Sequence, residues 1–204
     1  MMTQGSVERL VCSLSVPTIM IMLISALYNM ADTFFVGQIK ENGTSATAAI
    51  GISFSIMAVI QSVGFFFGQG SGNYISRQLG AKNYNEAAIM ASTGLVTSFL
   101  SGLIIGIICL WNIKQIVVFL GATPTIVPHA CKYLKYIFIA MPFMTGSLTL
   151  NNQLRFQGSA VHGMIGIMSG AILNVILDPI FIFGMNYGVA GAGLATLISQ
   201  CFGF

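Results

Sequence analysis

Charge is what this chain has least of. Eight lysines and arginines and five acidic residues make up 6% of its 204 residues, against about 25% in soluble globular domains. That scarcity excludes an ordinary soluble domain, and eight basic residues spread along the whole length build no basic stripe, so no nucleic-acid partner is expected. The four cysteines, Cys12, Cys109, Cys131 and Cys201, lie apart in apolar stretches without a CxxC pair. Neither a disulfide framework nor a zinc site is indicated, and they read as small packing residues. The two histidines, His129 and His162, have no partner at metal-ligand spacing. No nucleophile, histidine and acid set occurs at one depth, so the chain does not read as an enzyme and no cofactor is expected. The glycines of the segment 64–72 lack GxGxxG spacing and a preceding soluble strand, which excludes a phosphate loop.

What is present is apolar: 55% hydrophobic residues and a mean hydropathy of +0.86. A membrane span needs about 20 mostly apolar residues. The breaks between runs predict spans at 11–39, 45–77, 86–111, 126–153 and 162–185, with a sixth starting at 189 and reaching 204. The fold class is therefore all-α, a polytopic transmembrane helix bundle of five full spans plus a truncated sixth. Either that last helix is short or the chain is part of something longer. The first apolar run is too long for a secretory leader. The stretch 112–120 reads as a short amphipathic helix at the interface, and 121–124 as the turn after it. Positive-inside counting ties, with Arg9, Arg77, Lys82 and Arg155 on one side and Lys40, Lys114, Lys132 and Lys135 on the other. Asn42, Gly43 and Thr44 form a glycosylation sequon in a loop.

Two of the five acids, Asp32 and Asp178, fall inside predicted spans. An aspartate at a helix centre costs about 2.5 to 3.5 kcal/mol on an insertion scale. An ionisable group at that depth marks an ion or substrate path by default. The first and fifth spans run in the same direction. Asp32 lies eight residues before Lys40 and Asp178 eight before Asn186, which sets both about 12 Å from one membrane face at 1.5 Å per residue. Thr196, eight residues past Gly188 on the returning helix, reaches a similar level. Asn174 and Asp178, like Tyr28 and Asp32, are spaced i, i+4 and project from one helix face. Carboxylate, amide and hydroxyl oxygens are the ligands that hard cations take. Asp32, Asn174, Asp178 and Thr196 could together hold a sodium ion, or the aspartates could carry a proton. The plainer reading is that an aspartate caps a kink, because Pro179 follows Asp178 directly.

Pro17 and Pro179, with Pro142, each remove an intrahelical hydrogen bond. They read equally as hinges or as static kinks. Gly64, Gly68 and Gly72 recur every four residues, a small-residue ridge for close helix approach, and the pairs Gly102 with Gly106 and Gly166 with Gly170 repeat it. Twelve methionines are many for this length. Met20, Met22, Met30, Met57 and Met144 could line an adaptable cavity, or pack against lipid and core.

The motifs also carry a likeness. Pro17, Tyr28, Asn29, Asp32, Phe35, Val36 and Gly37; the string from Ile75 to Ala81; Leu154, Arg155, Phe156, Gln157 and Gly158; and Asn174 through Pro179 followed by Gly188, Val189, Ala190 and Gly191 occur in order along the chain. Together they resemble the multidrug and toxic compound extrusion (MATE) transporters. The resemblance implies twelve helices in two six-helix lobes, of which this chain is the N-terminal one. It implies a multi-pass protein of the plasma membrane (the bacterial inner membrane) with a cytoplasmic N-terminus. It also implies export of drug-like cations in exchange for sodium or protons. In that family an N-lobe cation site is built from residues falling here on Asp32, Asn174, Asp178 and Thr196, and Tyr28 and Asn151 match cavity-lining positions. The second lobe is absent, so the expected partners are drug-like small molecules, membrane lipid, and either a C-terminal lobe or a second copy. Two other readings stay open. One is a flippase for a lipid-linked precursor, which would need a more cationic cavity than Arg155 alone supplies. The other is a membrane subunit that transports nothing.

Overall fold

The computed structural model describes residues 7–39 and 43–204, with side chains from residue 15 onward apart from 17, 25 and 40–42. The sequon residue Asn42 and the side chains of Cys12 and Pro17 lie outside the described set. Among the described residues there are seven α-helices and no strand: α1 (Val7–Gly37), α2 (Gly43–Gly80), α3 (Tyr84–Trp111), α4 (Ile113–Phe119), α5 (Val127–Phe156), α6 (Ala160–Pro179) and α7 (Val189–Gly203). A single π-helical turn, Ile180–Gly184, follows α6 directly. The sequence reading ran a span through 162–185 with Pro179 as a hinge or a static kink. The helix instead widens once Pro179 is passed, and the amide of Met185 reaches back five residues to the Ile180 carbonyl at 2.9 Å.

Among the described residues four segments are long and apolar enough to cross a membrane: Thr18–Gly37, Gly43–Gly80, Tyr84–Trp111 and Ala160–Gly184. Helix α5 is as long but too polar to join them, for a physical reason. It packs against α2, α3 and α7, with α4 and α6 also touching it. A helix enclosed by other helices can carry polar groups that lipid would not accept. Its buried face includes Tyr133, Leu134, Ile137, Phe138, Met141, Thr145, Thr149 and Gln153.

Small residues bring the neighbours close. A Cβ added at Gly64 would lie 2.7 Å from the Leu148 Cβ, and one at Gly68 would lie 2.8 Å from the Asn152 Cβ; Gly72 lies against the Phe156 ring. Three glycines four residues apart on α2 thus receive three side chains four residues apart on α5. Hydrogen bonds stitch this seam and the neighbouring one between α3 and α5. The Thr149 hydroxyl meets the Ser98 Oγ at 2.7 Å and the Gly64 carbonyl at 3.2 Å, Ser98 Oγ donates to the Thr145 carbonyl at 3.1 Å, and Gln153 Nε2 donates to Ser71 Oγ at 2.9 Å. Bonds of this kind between membrane helices average about 0.6 kcal/mol and reach about 1.7.

Loops at Gly121, Gly158 and Gly188 depend on backbone that only glycine adopts freely. Gly121 (φ 90°) ends the turn after α4, and the Thr123 carbonyl then accepts the amides of Ile126 and Val127 at the start of α5. Gly188 (φ 55°) leads into α7. Three residues on, Gly191 passes so close to the π turn that a Cβ there would lie 2.7 Å from the Phe181 carbonyl carbon.

Candidate cation site

Three helices deliver the acid cluster. Helix α1 presents Asp32, α6 presents Asn174 and Asp178 one turn apart, and α7 presents Thr196; all four are at most 3% exposed. Asn174 Nδ2 donates to Asp178 Oδ1 at 3.5 Å and to Thr196 Oγ1 at 3.4 Å, and the Thr196 hydroxyl donates to the Ala192 carbonyl at 3.0 Å. Asp178 accepts its bond from a side chain on its own helix, and no side chain caps the π turn that follows it. Asp32 Oδ2 accepts a hydrogen bond from the Tyr133 hydroxyl of α5 at 3.0 Å. The two carboxyl groups lie within electrostatic reach of each other and of Tyr28 and Tyr133.

The cluster is incomplete as it stands. Asp32 Oδ1, Asn174 Oδ1 and Asp178 Oδ2 are buried without a hydrogen-bond partner. Among the described residues no lysine, arginine or histidine acts on either acid. A buried carboxylate with an open oxygen and no positive neighbour needs a proton or a cation on it. Three open oxygens, two from carboxyls and one from an amide, are of the donor type that hard cations take.

Asn174 and Thr196 also face a cavity of about 90 Å³ between α6 and α7. Tyr28 and Asn29 of α1, Gln61 of α2, Met144 and Ser147 of α5, and Ser199 and Gln200 of α7 line it as well. Its volume suits about three waters and falls short of the roughly 300 Å³ at which drug-sized pockets begin.

The sequence-predicted residues separate here. Asp32, Asn174, Asp178 and Thr196 come together, and Tyr28 lines the cavity beside them. Asn151 does not line it; its side-chain amide is buried against Gly163 of α6. Of the five methionines, Met144 lines the cavity and Met57 is buried in the apolar core, whereas Met20, Met22 and Met30 are exposed on the outside of α1. Arg155 lines a separate open cleft of about 520 Å³ with Ser15, Thr18 and Ile19, so the cavity carries no arginine. Tyr133 is the residue that sequence reasoning missed. Its only sign was a tyrosine about a quarter of the way into a helix otherwise marked by Lys132 and Lys135.

Known proteins share this arrangement of helices. A family model described as MatE matches residues 17–180. The multidrug export protein MepA of Staphylococcus haemolyticus (strain JCSC1435) is 35% identical over 197 residues, which is 97% of this chain and 43% of that protein. A crystal structure of MATE in the bent conformation superposes with a TM-score of 0.89 at 30% identity, over 98% of this chain and 44% of the other. An outward-facing multidrug resistance MATE family transporter of the MOP superfamily gives 0.88, also at 30% identity, with 98% and 44% covered. The chain spans less than half the length of the relatives it matches.

Proposed function

The chain belongs to the MatE family as its N-terminal lobe, and from that membership we propose that it serves as one half of a cation-coupled exporter of drug-like, mainly cationic or apolar compounds. As a multi-pass membrane protein of a transporter family it acts by moving solutes rather than by making or breaking bonds. The reading sets it in the plasma membrane, the bacterial inner membrane, with its N-terminus cytoplasmic. One observation carries the coupling: two acids from parallel helices are buried together with open oxygens and no basic partner.

In the proposed cycle a sodium ion or a proton enters through the cavity, passes Asn174 and Thr196, and neutralises Asp32 and Asp178. With a cation bound, the cluster draws α1, α6 and α7 together. With it released, the open carboxylates repel one another and the helices are free to part. The cavity is too small for a drug-sized molecule by itself, so substrate binds where this lobe faces its partner, a C-terminal lobe or a second copy. Such two-lobed transporters work by rocking one lobe against the other about a central site. Pro179 and the π turn after it give α6 a local break from which the end bearing Asp178 can move. Pro17 would do the same for α1.

The test is efflux of a fluorescent cationic dye from cells expressing the transporter that carries this lobe, driven in turn by sodium and by proton gradients. Asp32→Asn and Asp178→Asn should each abolish export while leaving membrane insertion intact. Export at the unmodified rate by both variants would remove the proposal.

A further inference from the structure

We propose that the surface formed by α4 and the first turns of α5 binds the headgroup of an anionic glycerophospholipid, through Lys114, Lys132 and Lys135 beside Trp111 and Phe119. This is independent of the cation site, whose acids face inward. Helix α4 is too short to span a membrane. It turns Ile113, Ile116 and Val117 toward the core and leaves Trp111, Lys114, Val118 and Phe119 outside. Trp111 is 86% and Phe119 89% exposed, the two most exposed large apolar side chains among the described residues. Aromatic side chains so placed at the end of a membrane-spanning helix belong at the level of lipid headgroups.

The lysines form one patch. Lys132 and Lys135 are exposed three residues apart on α5, which makes them neighbours on the helix surface. Lys114 lies on α4, which packs against α5, and it is within electrostatic reach of Cys131, one residue before Lys132. No aspartate or glutamate occurs between Glu86 and Asp178, and Asp32 and Asp178 are both buried. Among the described residues none of the three lysines has an anionic partner. A triple positive charge uncompensated among the described residues and bordered by exposed aromatics at a span end calls for a ligand with an anionic head and apolar tails. Lysine suits that ligand, because its ammonium binds phosphate as a point charge and its aliphatic stem lies along apolar surface while the head reaches the interface.

Trp111 is the only tryptophan in the chain, so it reports on this patch directly. The chain is reconstituted into phosphatidylcholine vesicles containing a minor fraction of either brominated phosphatidylglycerol or brominated phosphatidylcholine, and quenching of Trp111 is measured. The anionic lipid should quench at a concentration at least about fivefold lower than the neutral one, and each of Lys114→Gln, Lys132→Gln and Lys135→Gln should reduce that preference by about fivefold. High salt should erode it. Lys82→Gln, on the α2–α3 turn away from the patch, should leave it unchanged. Equal quenching of the unmodified chain by the two lipids would overturn the proposal, as would a preference that survives removal of all three lysines.

Discussion

Adding one methyl group at Gly68, and the same group at Gly70, should have opposite effects although the two positions are two residues apart on one helix. At Gly68 the new Cβ would lie 2.8 Å from the Asn152 Cβ, 3.1 Å from the Thr149 Cα and 3.2 Å from the Asn152 Nδ2. Comfortable carbon separations begin at about 3.5 Å, so α2 and α5 must part by roughly 0.7 Å. The obstacles are a backbone atom and a Cβ, which cannot swing away as the tip of a flexible side chain can. Overpacking of this kind costs about 1 to 3 kcal/mol. At Gly70 nothing lies within 4 Å of the new atom, and what remains is the gain of about 0.8 to 1.0 kcal/mol when alanine replaces glycine in a helix. That gain also applies at Gly68, where it offsets part of the clash. Gly68→Ala should therefore fall between neutral and about 2 kcal/mol destabilised, Gly70→Ala should be stabilised by up to about 1, and the difference should be about 1 to 3 kcal/mol. Reversible unfolding in mixed detergent micelles, followed by circular dichroism as the denaturing detergent fraction rises, measures both. Equal midpoints for the two variants would refute the close seam between α2 and α5 on which the placement of the bundle rests.

Other substitutions test neighbouring claims. Thr149→Val keeps the shape of a fully buried side chain but removes its hydroxyl contacts with Ser98 and the Gly64 carbonyl; the same assay should report a loss of about 0.6 to 1.7 kcal/mol, and no loss would mean that the bonds add nothing. Gly121→Ala meets no atom but must adopt φ 90°, so it should cost about 1 to 2 kcal/mol through backbone strain alone; Gly121→Asn, better suited to that region, should cost less. Tyr133→Phe removes the donor to Asp32 Oδ2. A hydrogen bond to a charged group contributes about 1.5 to 3 kcal/mol, so the cation concentration giving half-maximal dye efflux should move by at least about tenfold, and an unmoved midpoint would show that Tyr133 does not hold the acid.

Much of the site was legible in the sequence because membrane depth is a one-dimensional quantity. Counting from span ends at a fixed rise set Asp32, Asp178 and Thr196 at one level, and the i, i+4 rule added Asn174. Which way a side chain turns around the helix axis was not legible. Spans that are apolar on every side lack the polar and apolar faces by which a soluble helix announces its orientation, so Met22 and Met30 of α1, exposed in the structure, could not be told from cavity residues such as Met144. Tyr133 was hidden for a related reason. Its bond to Asp32 joins positions 101 residues apart, and nothing local to a tyrosine beside two lysines separates an interfacial anchor from an inward donor. The run from Thr145 to Gln153 drew no reading from the sequence, although so many amides and hydroxyls on one long helix require enclosure by other helices. The π turn after Pro179 was not readable, because proline predicts a break in the hydrogen-bond ladder without saying whether the helix kinks, ends or widens.

The central claim is that the buried acids bind the coupling ion, and equilibrium binding to the purified chain tests it without any need for transport. In detergent solution, radiolabelled sodium retention and proton release, on sodium addition and on raising the pH, are measured for the unmodified chain and for Asp32→Asn with Asp178→Asn. The account predicts a saturable cation-dependent signal, as retained sodium or as displaced protons, that disappears in the double variant while its helical circular dichroism is kept. The same saturable signal from the double variant would contradict it.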